Sequence, residues 1–136
     1  MATVQVRYIV HDVDAAIGFY CQHLGFEEVM HPGPSFAMLR RGDLRLVLSR
    51  PGGQNVGGGS QTADGRMPEP GGWNRFAVEV EDVAATFERL KAAGVTFRGE
   101  VIRGTGGNQA IAEDPSGNPI EIFQPVRDSA RLSPSS

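Results

Sequence analysis

Apolar side chains fall on alternate positions at Val4, Val6, Tyr8 and Val10, with Gln5, Arg7 and Ile9 between them. That period predicts a strand with two unlike faces. The period then lengthens: Val13, Ala16, Ile17, Tyr20 and Leu24 form one stripe at helical spacing. Seventy positions further on the same text recurs. Val10-His11-Asp12-Val13-Asp14-Ala15-Ala16-Ile17-Gly18-Phe19-Tyr20 aligns with Val80-Glu81-Asp82-Val83-Ala84-Ala85-Thr86-Phe87-Glu88-Arg89-Leu90. The second copy is led in by Phe76, Val78 and Val80 and carries a stripe of Val83, Phe87 and Leu90. Asp12 and Asp82 stand where a helix N-cap belongs, since a carboxylate there accepts from the unpaired amides of the first turn. Gly25 and Gly94 close the helices in the left-handed conformation that glycine adopts without strain.

Each helix is followed by three further short strands, at 26–31, 35–40 and 44–49 in the first copy and 96–102, 108–113 and 119–124 in the second. The expected architecture is βαβββ written twice within one α+β domain: 3–50 and 73–125 as modules, 51–72 as a crossover and 126–136 as a flexible tail. Arg41-Gly42-Asp43 and Asp114-Pro115-Ser116-Gly117-Asn118 read as hairpin turns. Pro51 to Gly72 holds eight glycines and three prolines, too many for regular structure. It is either a plain connection or a lid over a pocket. Its Gly57-Gly58-Gly59-Ser60 is not a phosphate loop, because no lysine or helix start follows.

Composition narrows the function. The net charge of -3, without a Lys/Arg cluster, argues against nucleic acid, and no apolar run reaches the roughly 18 residues of a membrane span. A small-molecule partner is the default. The N-terminal stretch lacks the character of a signal peptide, so a cytoplasmic location is expected. Cys21 is the single cysteine, which excludes an internal disulfide and a thiolate cluster.

Three stretches carry a family likeness: Asp12 through Tyr20 closing on Leu24-Gly25-Phe26, Val80-Glu81-Asp82-Val83 closing on Ala93-Gly94-Val95, and Glu113-Asp114-Pro115-Ser116-Gly117-Asn118-Pro119-Ile120-Glu121-Ile122. Over roughly residues 3 to 125 the chain resembles the glyoxalase I/bleomycin-resistance/extradiol-dioxygenase superfamily, also called the vicinal oxygen chelate superfamily. The resemblance implies two cupped sheets enclosing a cavity, usually in a homodimer. In metal-using members the ligands come from positions that correspond here to Gln5, Val47, Arg75 and Glu121. Valine has no lone pair to offer and arginine remains a cation, so the expectation is a protein without metal or other cofactor. His11 ahead of the cap, His23 late in the first helix and His31 in a turn before Pro32 do not share the strand face of Gln5.

Alternation assigns the inward face: Gln5, Arg7 and Ile9, then Arg45, Val47 and Ser49, then Arg75, Ala77 and Glu79, then Glu121 and Phe123. Buried ions must pair, stay wet or meet a ligand. One outcome is an Arg75 to Glu121 ion pair. The other is that Arg7, Arg45 or Arg75 holds a carboxylate, phenolate or enolate oxygen. Phe36, Met38, Trp73 and Phe123 are ordinary core residues or a stacking surface for an aromatic ligand. Two functions compete: metal-independent sequestration of a hydrophobic aromatic molecule, as in bleomycin-resistance members, or a metal-independent isomerase, cyclase or lyase in which Glu121 moves the proton. A scaffold without a ligand is the third possibility.

Overall fold

The computed structural model describes residues 4–52 and 57–126. The tail expected at 126–136 lies outside the described residues apart from Val126, as do residues 53–56 of the crossover. Chain order is β1 (Val4–Ile9), α1 (Val13–Leu24), β2 (Glu27–Gly33), β3 (Phe36–Arg41), β4 (Leu44–Ser49), β5 (Ala77–Glu79), α2 (Val83–Ala92), β6 (Thr96–Phe97), β7 (Ile102–Arg103), β8 (Gly107–Glu113) and β9 (Pro119–Pro125). Two helices on two mixed sheets make an α+β fold, as the repeated pattern predicts.

The described chain forms two compact units, one from 4 to 72 with Pro115–Asn118 and the other from Trp73 to Asp114 with 119–126. In the first, strand order is β1-β4-β3-β2. β1 runs parallel to β4 and pairs Gln5 with Arg45, Arg7 with Val47 and Ile9 with Ser49. β3 is antiparallel to β4 and sets Met38 beside Val47 and Phe36 beside Ser49. The other face carries Ala37, Leu39, Leu46 and Leu48, all fully buried, and α1 packs there through Val13, Ala16, Phe19 and Tyr20. Phe19 extends the predicted stripe: its ring meets Tyr20 edge-on with centroids 5.0 Å apart. Val4, expected under the helix, is instead exposed at the sheet edge.

In the second unit the order is β5-β9-β8-β6, with β7 also on β8. Val78, Ala110, Ala112, Ile120 and Ile122 are buried together with Val83, Phe87 and Leu90 of α2. The caps are as expected. Asp12 accepts from the Ala15 amide at 3.1 Å and Asp82 from the Ala85 amide at 3.0 Å. Gly25 and Gly94 take φ of 72° and 92° after the two helices.

Three expectations are corrected. His31 lies inside β2 rather than in a turn, because β2 is the sheet's edge strand and tolerates a proline that donates nothing. The strand expected over 96–102 is two fragments: β6 and β7 pair β8 in succession, and Gly99, at φ 84°, bends the chain between them. Inside the crossover, Gly57–Gly59 form one turn of 3-10 helix, with Gly52 bridged to Ser60. Thr62, Asp64 and Arg66 close a second turn, in which the Thr62 hydroxyl donates to Asp64 and the Arg66 guanidinium pairs with it. The Thr62 bond first, and then Arg66, holds the Asp64 carboxyl below the usual carboxylate range.

No described helix is long and apolar enough to cross a membrane.

Candidate functional site

The predicted inward residues fall into two groups, one in each unit. In the second unit, β9 places Glu121 and Phe123 on one face, beside Ala77 and Glu79 of β5. Arg75 lies two residues before β5; its Nε donates to Glu121 Oε1 at 3.1 Å, and its Nη2 lies 3.0 Å from the same oxygen as an ion pair. Both side chains are about four-fifths buried, so the pair is only partly screened by water. Arg75 Nη1 donates to the Trp73 carbonyl at 3.1 Å. Of the two outcomes set out for Arg75, the structure holds the ion pair. Phe123 is half-buried, and its ring lies over Gly107, where a side chain would collide with it.

Beside this pair lies a second one that alternation did not reveal. Arg98 Nε donates to Glu113 Oε2 at 2.7 Å, and the Arg98 guanidinium stacks under the Trp73 indole, 4.6 Å from the ring centroid. A cation against an indole face is worth about 0.5–2 kcal/mol, depending on desolvation. Trp73 is nonetheless 67% exposed. It is thus a ring fixed from one side by a cation and open elsewhere. Two guanidinium groups and two carboxylates cancel, and the indole is the group this cluster offers to solvent.

In the first unit, Gln5, Arg7, Arg45, Val47, Phe36 and Met38 do share one sheet face, as the register requires. Val47 and Ser49 are buried in its floor, Phe36 and Met38 are half-buried, and Arg7 is exposed. Arg7 Nη1 reaches Ser49 Oγ at 3.4 Å, and its guanidinium lies against Gly58 of the 3-10 turn. Arg45 turns away along its strand and donates to the Gly42 carbonyl at 3.3 Å.

The most distinctive sequence motif has a structural use. Asn118 is buried, its amide nitrogen donating to the Ile9 carbonyl at 2.7 Å while its oxygen accepts from the Gly71 amide at 2.7 Å. Ser116 Oγ accepts from the His11 amide at 2.8 Å. The motif therefore ties down the end of β1 and the end of the crossover.

Neither Val47 nor Arg75 fits the ligand role that the family's metal-using members give these positions. Valine presents only carbon, and Arg75 is a cation already committed to Glu121. Among the described residues no three His, Cys, Asp or Glu side chains are grouped to hold a metal ion. His31 Nε2 lies 3.4 Å from Asp14 Oδ1, away from the strand face of Gln5. The Cys21 thiol is pushed above its ordinary value, first by burial and then by the Glu28 carboxylate, which suppresses the thiolate a nucleophile needs.

A helix packed on one face of a mixed sheet, repeated in two units of the chain, defines a class. The glyoxalase/bleomycin resistance protein/dioxygenase superfamily model matches residues 3–122, and the chain belongs to that superfamily. Among curated proteins it is similar to a bleomycin resistance protein of Geobacillus stearothermophilus, 27% identical over 123 residues that cover 87% of this chain and 92% of the relative. Among solved structures it resembles TnmS3, an antibiotic binding protein from Streptomyces sp. CB03234, at 26% identity and TM-score 0.65, covering 92% of this chain and 96% of that one. The bleomycin-binding protein of Streptomyces verticillus, solved with copper(II)-bleomycin, is 24% identical with TM-score 0.59, covering 91% and 96%, a likeness of fold alone.

Proposed function

We propose that this protein binds and sequesters a hydrophobic, aromatic small molecule without using a metal ion, acting as a homodimer in the cytoplasm. The observation that carries the reading is Trp73, an indole two-thirds exposed yet held in place by Arg98. Exposing a large ring costs hydration free energy, and fixing it lowers the entropy lost when a flat partner stacks on it. The bleomycin resistance relatives and the antibiotic binding protein support a small-molecule ligand. Metal independence is supported by the valine and the committed arginine at two of the four positions where metal-using members place ligands. Charge neutralisation of Arg75 and Arg98 by Glu121 and Glu113 leaves stacking and hydrophobic burial as the main attractions in the second unit.

Trp73 is the chain's single tryptophan, so its fluorescence reports this position alone. Titration with bleomycin and a panel of planar aromatic antibiotics, with and without a chelator, is expected to give saturable quenching by at least one of them, unchanged by the chelator. Trp73→Ala is expected to weaken that ligand about tenfold, measured by equilibrium dialysis. Failure of every compound to quench saturably would refute sequestration. Binding abolished by the chelator would refute metal independence.

A further inference from the structure

On the face of the first unit's sheet opposite α1, β1 and β4 present two guanidinium groups, Arg7 and Arg45. No described Asp or Glu lies within ion-pair distance of either one. Of the two acidic residues at the start of β2, Glu28 faces Cys21 of α1 and Glu27 is already paired with Arg40 at 3.2 Å. This contrasts with the second unit, where Arg75 and Arg98 each hold a carboxylate. Two cations without a counter-charge among the described residues, on a partly apolar face, give an acidic protein a local charge opposite to its net charge.

The two arginines differ in what holds them. Arg45 is drawn to the Gly42 carbonyl at the hairpin turn. Arg7 stands above the buried floor of Val47 and Ser49, with one long bond to Ser49 Oγ, and the backbone of Gly58 lies directly against its guanidinium. A methyl group added at Gly58 would occupy the position of the guanidinium, so a glycine there is a condition of this placement. The result is a planar cation, orientated by a glycine turn, most of whose five donors have no partner among the described residues.

We infer that Arg7 is an anion-recognising residue, taking the carboxylate or equivalent oxyanion of a flat, apolar ligand against the half-buried Met38 and Phe36, with Gly58 as its positioning residue. Fork geometry suits a carboxylate, and the apolar floor suits the ring that bears it. This rests on the reading of the chain as a binder of aromatic molecules and adds the ligand's charge to it.

The test compares 2-naphthoate with 2-naphthamide, flat probes of nearly equal size that differ in charge, by isothermal titration calorimetry on the full chain. Naphthoate is expected to bind about tenfold more tightly, with a preference that shrinks as salt is added. It is also expected to shift the Gly58 amide resonance. Arg7→Gln should bring the affinity ratio close to one. So should Gly58→Ala, which keeps the charge but displaces it, and this separates a positioned guanidinium from a general positive potential. Equal affinities in the unmodified chain would overturn the assignment while leaving aromatic binding intact. Binding of neither probe would overturn both. A ratio unchanged in Arg7→Gln would also overturn it, and the comparison in the unmodified chain stands whether or not a variant folds.

Discussion

At the scale of single residues, Glu121 is where structure and chemistry compete. Its Oε1 accepts one hydrogen bond from Arg75 Nε and lies 3.0 Å from Nη2, so the carboxylate is tied to a cation in the same sheet face. Glu121→Gln keeps the shape and one acceptor but leaves Arg75 without its counter-charge in a mostly buried place. The expected cost is about 1–3 kcal/mol, read as a lower denaturation midpoint at unchanged slope. A variant as stable as the parent would show that the pair is solvated and contributes nothing. Alternation set Arg75 and Glu121 on one face of two different strands, and the family resemblance, in which both are ligand positions, set them within reach of each other. Arg98 escaped the same logic. Its strand is interrupted at Gly99, so no alternation passes through it, and its aromatic partner Trp73 lies 25 positions earlier in the chain. The only trace in the sequence was a lone arginine and a Glu113 that belonged to a turn motif.

At the scale of elements, the clearest signals were those with local causes. An aspartate before a helical stripe needs only the next three residues to act as a cap, and both caps are found where the repeat put them. The Asp114-to-Asn118 motif was legible as a turn for the same reason, with Gly117 at φ 87°. What its side chains bind was not legible, because Ile9, His11 and Gly71 are distant in sequence. Asn118→Ala removes both bonds of a buried amide and leaves a carbonyl and an amide group open. A loss of about 1–3 kcal/mol is expected, together with faster hydrogen exchange at Gly71. Unchanged exchange at Gly71 would show that the bond is replaced by water. The glycine-rich crossover was the least readable element: a tight 3-10 turn over Arg7 depends on a long-range close approach, which composition does not encode.

At the scale of the whole molecule, the fold was recoverable because the chain says the same thing twice, and two agreeing copies outweigh the ambiguity of either. The assembly is a different matter. Surface patterning does not state a partner, and exposed apolar residues such as Val29 and Met30 on the edge strand β2 are compatible with several. The proposed homodimer predicts a sedimenting mass of twice 14.6 kDa at micromolar concentration. A single species at 14.6 kDa would remove dimerisation from the proposal without touching ligand binding.

Because residues 115–118 are part of the unit otherwise built from the chain's first half, that half cannot be finished when its own strands have left the ribosome. Until translation has passed Asn118, the Ile9 carbonyl and the Gly71 amide have water as their partner. The early half then waits, with these two bonds unmade, for a segment synthesised more than forty residues after the crossover ends.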